Sequence, residues 1–381
     1  MVSGGTHCYI TSVQAPATSE ASVSGTSSSP RWKKWGLNLL GAAVSIGCLW
    51  WAAADMLSTP EKRAEIANAF RNANYWMLIP FWAALFGFYW LKAWRWRLLL
   101  KPLGDFRPLR DLIRPILIGF GYNNVLPAHL GEFVRVFVMG RKHRLPMTAV
   151  LSSVVLERVF DIFAIVAFMG LGLLFVPDVD PDIKRYGLMG AASASVLVAG
   201  AFLFVIWTDP FVRLFEAVLS RIPFLPKGLA AKLAGLLESA ADGLHSLHSP
   251  GLLIGIFGSS LAQWALNGWM MYLALQSFGI HESPWVSCIL LAAVAFGVTV
   301  PSTPGYVGVI QALFWLVLRQ FTDDKAGVLG ASIVYQFAQW VPVTVLGLYF
   351  FSRTGLKVSQ VQQAAETTPD THLAANAPPA S

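Results

Sequence analysis

A chain of 381 residues that is 55% hydrophobic, only 13% charged and carries 15 tryptophans has more apolar surface than one water-soluble core can bury. Its mean hydropathy of +0.55 points the same way and excludes a soluble enzyme or nucleic-acid-binding domain as a description of the whole. The formal net charge of +7 does not bring nucleic acid back as a partner, because the basic residues gather at the ends of apolar runs, where membrane orientation accounts for them.

Residues 1–30 are rich in Ser, Thr, Gly and Ala, lack a signal-type apolar run, and read as a disordered tail. The first apolar run, 36–58, follows Arg31, Lys33 and Lys34 and is long enough to stay in the mature protein as an anchor. Runs of about 20 residues, enough to cross about 30 Å of hydrocarbon as helix, recur at 75–94, 147–175, 186–207, 251–279 and 327–351, which makes six spans. The polar, Ala/Pro/Gln-rich stretch 358–381 reads as a second disordered tail. Cys8, Cys48 and Cys288 are scattered without CxxC or Cys/His spacing, so neither a disulfide framework nor a metal site is expected. The expected architecture is an all-α polytopic membrane domain over 31–357.

Two further apolar stretches, 112–139 and 285–318, are interrupted by Pro, Gly and polar residues. Lipid cannot satisfy the backbone groups that such interruptions free, so these segments belong inside protein or beside a wet cavity. Charge suggests how they sit. Lys92, Arg95, Arg97, Lys101, Arg107, Arg110 and Arg114 precede the first, and Arg141, Lys142 and Arg144 follow it, so both its ends are expected in the cytoplasm and the stretch is expected to be re-entrant. PDVDPDIKRY, with Asp178, Asp180 and Asp182, is expected outside. The linker 208–250 alternates apolar clusters with Arg213, Arg221, Lys227 and Lys232 and is expected to form interfacial helices on the cytoplasmic leaflet. Its His245 and His248 read as a solvated pair, for want of a third metal ligand. The second interrupted stretch has weakly charged flanks and is expected to re-enter from outside; both termini are then cytoplasmic.

The halves also align with each other. WRWRLLLKPLG (94–104) matches WMMYLALQSFG (269–279), LPAHLG (126–131) matches VPSTPG (300–305), and VLSSVVLER (150–158) matches VLGASIVYQ (328–336), in order and with small gaps. Because the charge pattern points the two copies in opposite directions, the expectation is an inverted repeat, about 75–175 and 250–351. In transporters built that way, paired broken helices meet near the midplane and mark the substrate site. Glu157 lies about ten residues into its span, roughly 15 Å deep, and Gln336 lies about as deep in the second copy.

Four polar groups are the candidate machinery. The first broken stretch, NNVLPAHLGEFVR, holds Asn123, Asn124, Pro127, His129, Gly131, Glu132 and Arg135. Half-helix N-termini there suit an anion such as phosphate, while Glu132 and Arg135 at i,i+3 could also simply pair with each other. LERVFD holds Glu157, Arg158 and Asp161; Arg158 is the preferred phosphate ligand, and a structural ion pair is the competing reading. VPSTPGYVGVIQ contributes Pro301, Ser302, Thr303, Pro304, Gly305, Tyr306, Gly308 and Gln311, an uncharged set that suits a gate or a backbone-lined pocket. No Gly-Lys-Ser/Thr follows, so it is not a nucleotide loop. Tyr335, Gln336 and Gln339 suit interhelical hydrogen bonds or ligand contact equally.

Taken together, N-x-x-L-P-x-x-x-G-E, E-R-x-x-D and P-x-T-P-G-x-x-G over about 36–351 resemble the lysylphosphatidylglycerol synthase transmembrane family, the flippase-like domain also found at the N-terminus of the multiple peptide resistance factor. The resemblance implies a lipid-translocating module in a bacterial inner membrane. No aminoacyltransferase domain follows in this sequence, so the synthase name is not expected to be an activity. The family often carries a Tyr-Arg pair where Tyr335 and Gln336 stand.

The expected function is therefore movement of an anionic phospholipid or polyprenyl-phosphate headgroup between leaflets. Glu132, Arg135, Glu157, Arg158 and Asp161 would hold phosphate or relay protons, and the two Pro/Gly segments would gate. No cofactor is expected, and without an ATPase motif the drive would be an ion gradient or equilibration. Expected protein partners are a second copy or lipid-synthesis enzymes. The alternatives are an intramembrane enzyme acting on lipid phosphates, with His129, Glu132 and Glu157 as acid-base groups, and a scaffold for a glycolipid or hopanoid pathway.

Overall fold

The computed structural model describes residues 58–125, 130–176, 179, 181–206, 250–299 and 304–356, with isolated positions between 43 and 50. The expected first span, the linker 208–250 and both tails thus lie outside the described residues, apart from the linker's last residue and, in the span, residue 58 and the isolated positions between 43 and 50. Everything described is helix or connection. The helices are α1 (Pro60–Asn72), α2 (Leu78–Leu99), α3 (Ile113–Val125), α4 (Gly131–His143), α5 (Met147–Phe175), α6 (Pro181–Ile206), α7 (Pro250–Ser277), α8 (Pro284–Gly297), α9 (Val309–Leu318) and α10 (Lys325–Ser352).

Local chemistry sets where these helices begin. Ser283 Oγ accepts from the Trp285 N–H with Pro284 in the first turn, and Asp324 Oδ1 accepts from the Gly327 N–H at 2.8 Å, each satisfying a donor that a helix start leaves open. Asn74 caps the turn leading into α2 in the same way. Three helices, Tyr75–Leu99 including its leading turn, Met147–Phe175 and Lys325–Ser352, are long and apolar enough to cross a bilayer. Large apolar side chains such as Trp76, Phe86 and Leu174 face outward, which suits a lipid surround rather than water.

The helices correct two expectations. The span expected at 75–94 runs on to Leu99, so Lys92 and Arg95 are buried helix residues and not part of a cytoplasmic loop. Pro181 and Asp182, expected in an external loop, form the first turn of α6. The short polar helix α1 was not expected; it docks by stacking Phe70 edge-on against Phe278, at 5.3 Å.

The interrupted stretches are two helical hairpins. Helix α3 has 13 residues, α4 has 13, α8 has 14 and α9 has 10, so none rises much beyond about 21 Å, short of a full bilayer. In the first hairpin the chains run antiparallel so closely that a Cβ on Gly131 would meet the carbonyl oxygen of Gly119 and the backbone nitrogen of Asn123. Gly131 donates its N–H to Asn123 Oδ1 at 2.8 Å, which staples the two half-helices across their break.

The order long helix, hairpin, long helix occurs twice: α2, α3–α4, α5 and then α7, α8–α9, α10. Helix α2 lies along α7, while α3 packs on α10 and α8 packs on α5, so each hairpin is held by the long helix of the other half. Glycines allow both approaches. Gly347 on α10 sits against the backbone of Leu117 and Gly121, and Gly172 on α5 sits against the backbone of Trp285 and Ile289.

Candidate functional site

Helix α5 carries the centre of the site. Glu157 is fully buried there, and three cations from two other helices converge on it: Lys92 Nζ at 2.5 Å and Arg95 Nη2 at 3.2 Å from α2, and Arg135 Nη2 at 2.8 Å from α4. One turn on, Asp161 accepts from Arg95 Nη1 at 2.7 Å and from Trp264 Nε1 of α7 at 2.8 Å. Arg95 also donates to Ser260 Oγ of α7 at 2.7 Å. The Arg135 guanidinium lies 3.7 Å from the centroid of the Trp96 ring, whose Nε1 donates to Ser153 Oγ at 3.0 Å. Four helices are thereby tied by groups that would be very costly to bury singly.

Arg158 is different because its side chain is 40% exposed. It reaches Glu132 of α4 at 3.2 Å, Asp161 at 3.4 Å and Glu157 at 3.5 Å, and its Nε has no hydrogen-bond partner among the described residues. The pairing of Glu132 with Arg135 that the sequence allowed is not formed: Glu132 pairs with Arg158 and Arg135 with Glu157, while Arg158 also reaches Asp161 three residues on. Among the described residues the cluster holds four cations (Lys92, Arg95, Arg135, Arg158) and three carboxylates (Glu132, Glu157, Asp161), a formal excess of one positive charge, 4 − 3.

This cluster opens on a cavity of about 250 Å³ between the two halves. Lys92, Asn123, Asn124, Glu132, Arg158 and Asp161 line it from the first half, and Gln263, Asn267, Gly305, Tyr306, Gln336 and Trp340 from the second. Arg135, Glu157, Gly131 and Gly308 are not on its wall; the first two brace the wall electrostatically, and the glycines let backbone segments approach or turn. Pro127, His129, Pro301, Ser302 and Thr303 lie outside the described residues, and Pro304 begins the turn Pro304–Tyr306.

The second half is held by neutral groups. Gln336 Oε1 accepts from Gln311 Nε2 at 2.6 Å, Gln336 Nε2 donates to the Gly305 carbonyl, and Gln311 Oε1 takes the Gly308 N–H at 2.7 Å. Gly305 (φ 77°), Tyr306 (φ 59°) and Gly308 (φ 91°) all adopt left-handed conformations there, and for a tyrosine that is strained. Asn124 Nδ2 donates to Thr344 Oγ1 of α10 at 2.8 Å, joining the first hairpin to the second half.

Sequence reasoning missed Lys92, Arg95, Ser260, Gln263, Trp264 and Asn267. A signal was present: Lys92 and Arg95 stand at i,i+3 in a run that, Arg97 apart, stays apolar to Leu100, and Ser260, Gln263 and Asn267 make a polar stripe at i,i+3,i+7 in α7.

The family described as the lysylphosphatidylglycerol synthase TM region matches residues 38–347, and the chain belongs to it. Over 289 residues the chain is 24% identical to the "Glycosyltransferase AglD" of Haloferax volcanii, covering 68% of this chain and 45% of that protein. It is 22% identical over 335 residues to a UPF0104 membrane protein of Methanothermobacter thermautotrophicus, covering 83% of this chain and 96% of the relative. It is 25% identical over 186 residues to the phosphatidylglycerol lysyltransferase of Bacillus subtilis, covering 48% of this chain and 21% of that enzyme. The chain thus spans less than half the length of the Haloferax and Bacillus proteins. No solved structure gives a significant match.

Proposed function

We propose, with membership of this family as the premise, that the protein moves a lipid with an anionic phosphate headgroup, a phospholipid or a polyprenyl phosphate, between the leaflets of a bacterial inner membrane. The observation that carries this reading is the one-cation excess of a buried cluster whose exposed member, Arg158, faces a cavity between the two halves. A buried charge imbalance is unfavourable, and a lipid phosphate monoanion beside Arg158 would neutralise it while gaining charge-assisted hydrogen bonds. Carboxylates already paired with Arg158 keep its side chain extended toward the cavity.

Transport fits the architecture better than chemistry does. The two halves are read as an inverted repeat with hairpins re-entrant from opposite sides and both termini cytoplasmic. Support comes from Gly172 and Gly347, 175 positions apart, which make matching close approaches to the opposite hairpin. In such a repeat, rocking of one half against the other opens the shared cavity to each leaflet in turn.

The test is translocation of headgroup-labelled phosphatidylglycerol and polyprenyl phosphate in proteoliposomes. Arg158→Ala, at a half-exposed position, is expected to leave a folded protein and to slow translocation at least about tenfold. Equal rates for the variant and the parent with every such lipid would overturn the site, and a lipid product of altered mass would favour an intramembrane enzyme.

A further inference from the structure

The cavity continues from the charged cluster along α7 and α10, where the neutral polar residues Gln263, Asn267, Tyr335 and Gln336 line it among apolar ones such as Met271 and Val343. Gln263 lines it and is fully buried, yet among the described residues neither its amide nitrogen nor its amide oxygen has a hydrogen-bond partner. Trp340 Nε1, on the same lining, has none either and rests against Gly305. Tyr335 differs in this respect: it donates its hydroxyl to Asn267 Oδ1 at 2.9 Å and bonds Gln339 as well. Gln263 also adjoins the charged cluster, because the next residue, Trp264, donates to Asp161, which pairs with Arg158.

A buried amide left without partners is strongly disfavoured, so this pair of residues makes physical sense when a ligand supplies both donor and acceptor. A hydroxyl does both, giving its proton to the Gln263 oxygen and accepting from the Gln263 nitrogen or Trp340 Nε1. An ammonium group can only donate, so it would satisfy the Gln263 oxygen and leave the amide nitrogen and Trp340 Nε1 open, while the three cluster carboxylates already face arginine or lysine. The cavity, about 250 Å³, falls below the roughly 300–1,000 Å³ of sites that engulf drug-sized ligands, and suits a headgroup whose acyl or prenyl chains stay in the bilayer.

We infer that the cavity selects a phosphodiester whose headgroup is a neutral polyol, a glycerol or a sugar, with phosphate at Arg158 and hydroxyls at Gln263 and Trp340. This rests on the reading that the cavity takes a lipid phosphate, and it adds which headgroup. It also sets the protein against cationic, aminoacylated headgroups as cargo.

The experiment is competitive binding to the full chain in detergent, read by native mass spectrometry. The probes are short-chain phosphatidylglycerol, phosphatidylinositol, a polyprenyl phosphosugar, phosphatidic acid and the lysyl ester of phosphatidylglycerol. The polyol lipids are expected to bind about tenfold more tightly than phosphatidic acid or the lysyl ester, and preference for the glycerol or the sugar probe identifies the source of the headgroup. Gln263→Leu, which keeps the side chain's bulk and removes the amide, is expected to close that ratio with no loss of thermal stability. A lysyl ester that binds as well as phosphatidylglycerol overturns the inference. So does a Gln263→Leu protein that melts earlier yet keeps the ratio, since Gln263 would then be structural. If all phosphate lipids bind alike and Arg158→Ala weakens every one, the polyol subsite fails but the phosphate site stands. If none binds to the parent protein, both readings fall.

Discussion

In the first half of the molecule Glu157 of α5 grips α4 through Arg135 at 2.8 Å, and in the second half Gln336 of α10 grips α9 through Gln311 at 2.6 Å. The geometry is alike: a polar side chain on the second long helix holds the returning arm of a broken hairpin. The chemistry differs, because one contact is a buried ion pair with further cations crowded around it, and the other is a chain of amides ending on the Gly305 carbonyl. Interrupted backbone can be held by either kind of group, but only the charged version carries a formal excess of positive charge. The neutral version shapes the cavity wall, at the expense of left-handed backbone at Tyr306.

The widest separation between the halves should appear on removing the two gripping residues. Glu157→Gln leaves Lys92, Arg95 and Arg135 facing one carboxylate fewer and is expected to destabilise by about 3–5 kcal/mol, whereas Gln336→Leu should cost about 1–3 kcal/mol. Thermal unfolding in detergent measures both; equal losses would mean that charge is not what distinguishes the halves. The comparison sharpens with Arg135→Gln added to Glu157→Gln, which makes the first half resemble the second and restores the original excess of one, 3 − 2. The double variant should recover about 0.5–3 kcal/mol of coupling relative to the sum of the single changes. A purely additive result would show that Arg135 and Glu157 are held by other groups.

Smaller effects probe the hairpin itself. Gly131→Ala places a methyl against the Gly119 carbonyl and should cost about 1–3 kcal/mol, with the hairpin loosening before the long helices in hydrogen exchange. Asn124→Ala removes one bond, to Thr344, and is expected to cost about 0.5–1.5 kcal/mol in the same unfolding measurement. Loss of more than that would show that the link between the halves carries more than one hydrogen bond.

Much of the fold was legible from the chain. Apolar runs marked the long helices α2, α5, α6, α7 and α10, of which α2, α5 and α10 are apolar enough to cross a bilayer, and Pro and Gly in otherwise apolar stretches marked the two pairs of short helices, because lipid leaves so few backbone options. The site was legible in part. Asn123, Asn124, Glu132, Arg158, Asp161, Gly305 and Gln336 do line one cavity. Lys92 and Arg95 were misplaced because a basic residue at the end of an apolar run has the same appearance whether it faces cytoplasmic water or a buried carboxylate.

By itself the sequence determined that this is a helical membrane protein, which segments are long helices and which are broken, and which residue types had to be kept from lipid. Only the tertiary structure decided the pairings. That Arg135 meets Glu157, that Glu132 meets Arg158, and that Gln263 is left with an unpaired amide beside them depends on which helix faces which. Spacing along one helix fixes what shares a face, but the counter-charge of a buried group comes from a neighbouring helix, and packing alone brings it there.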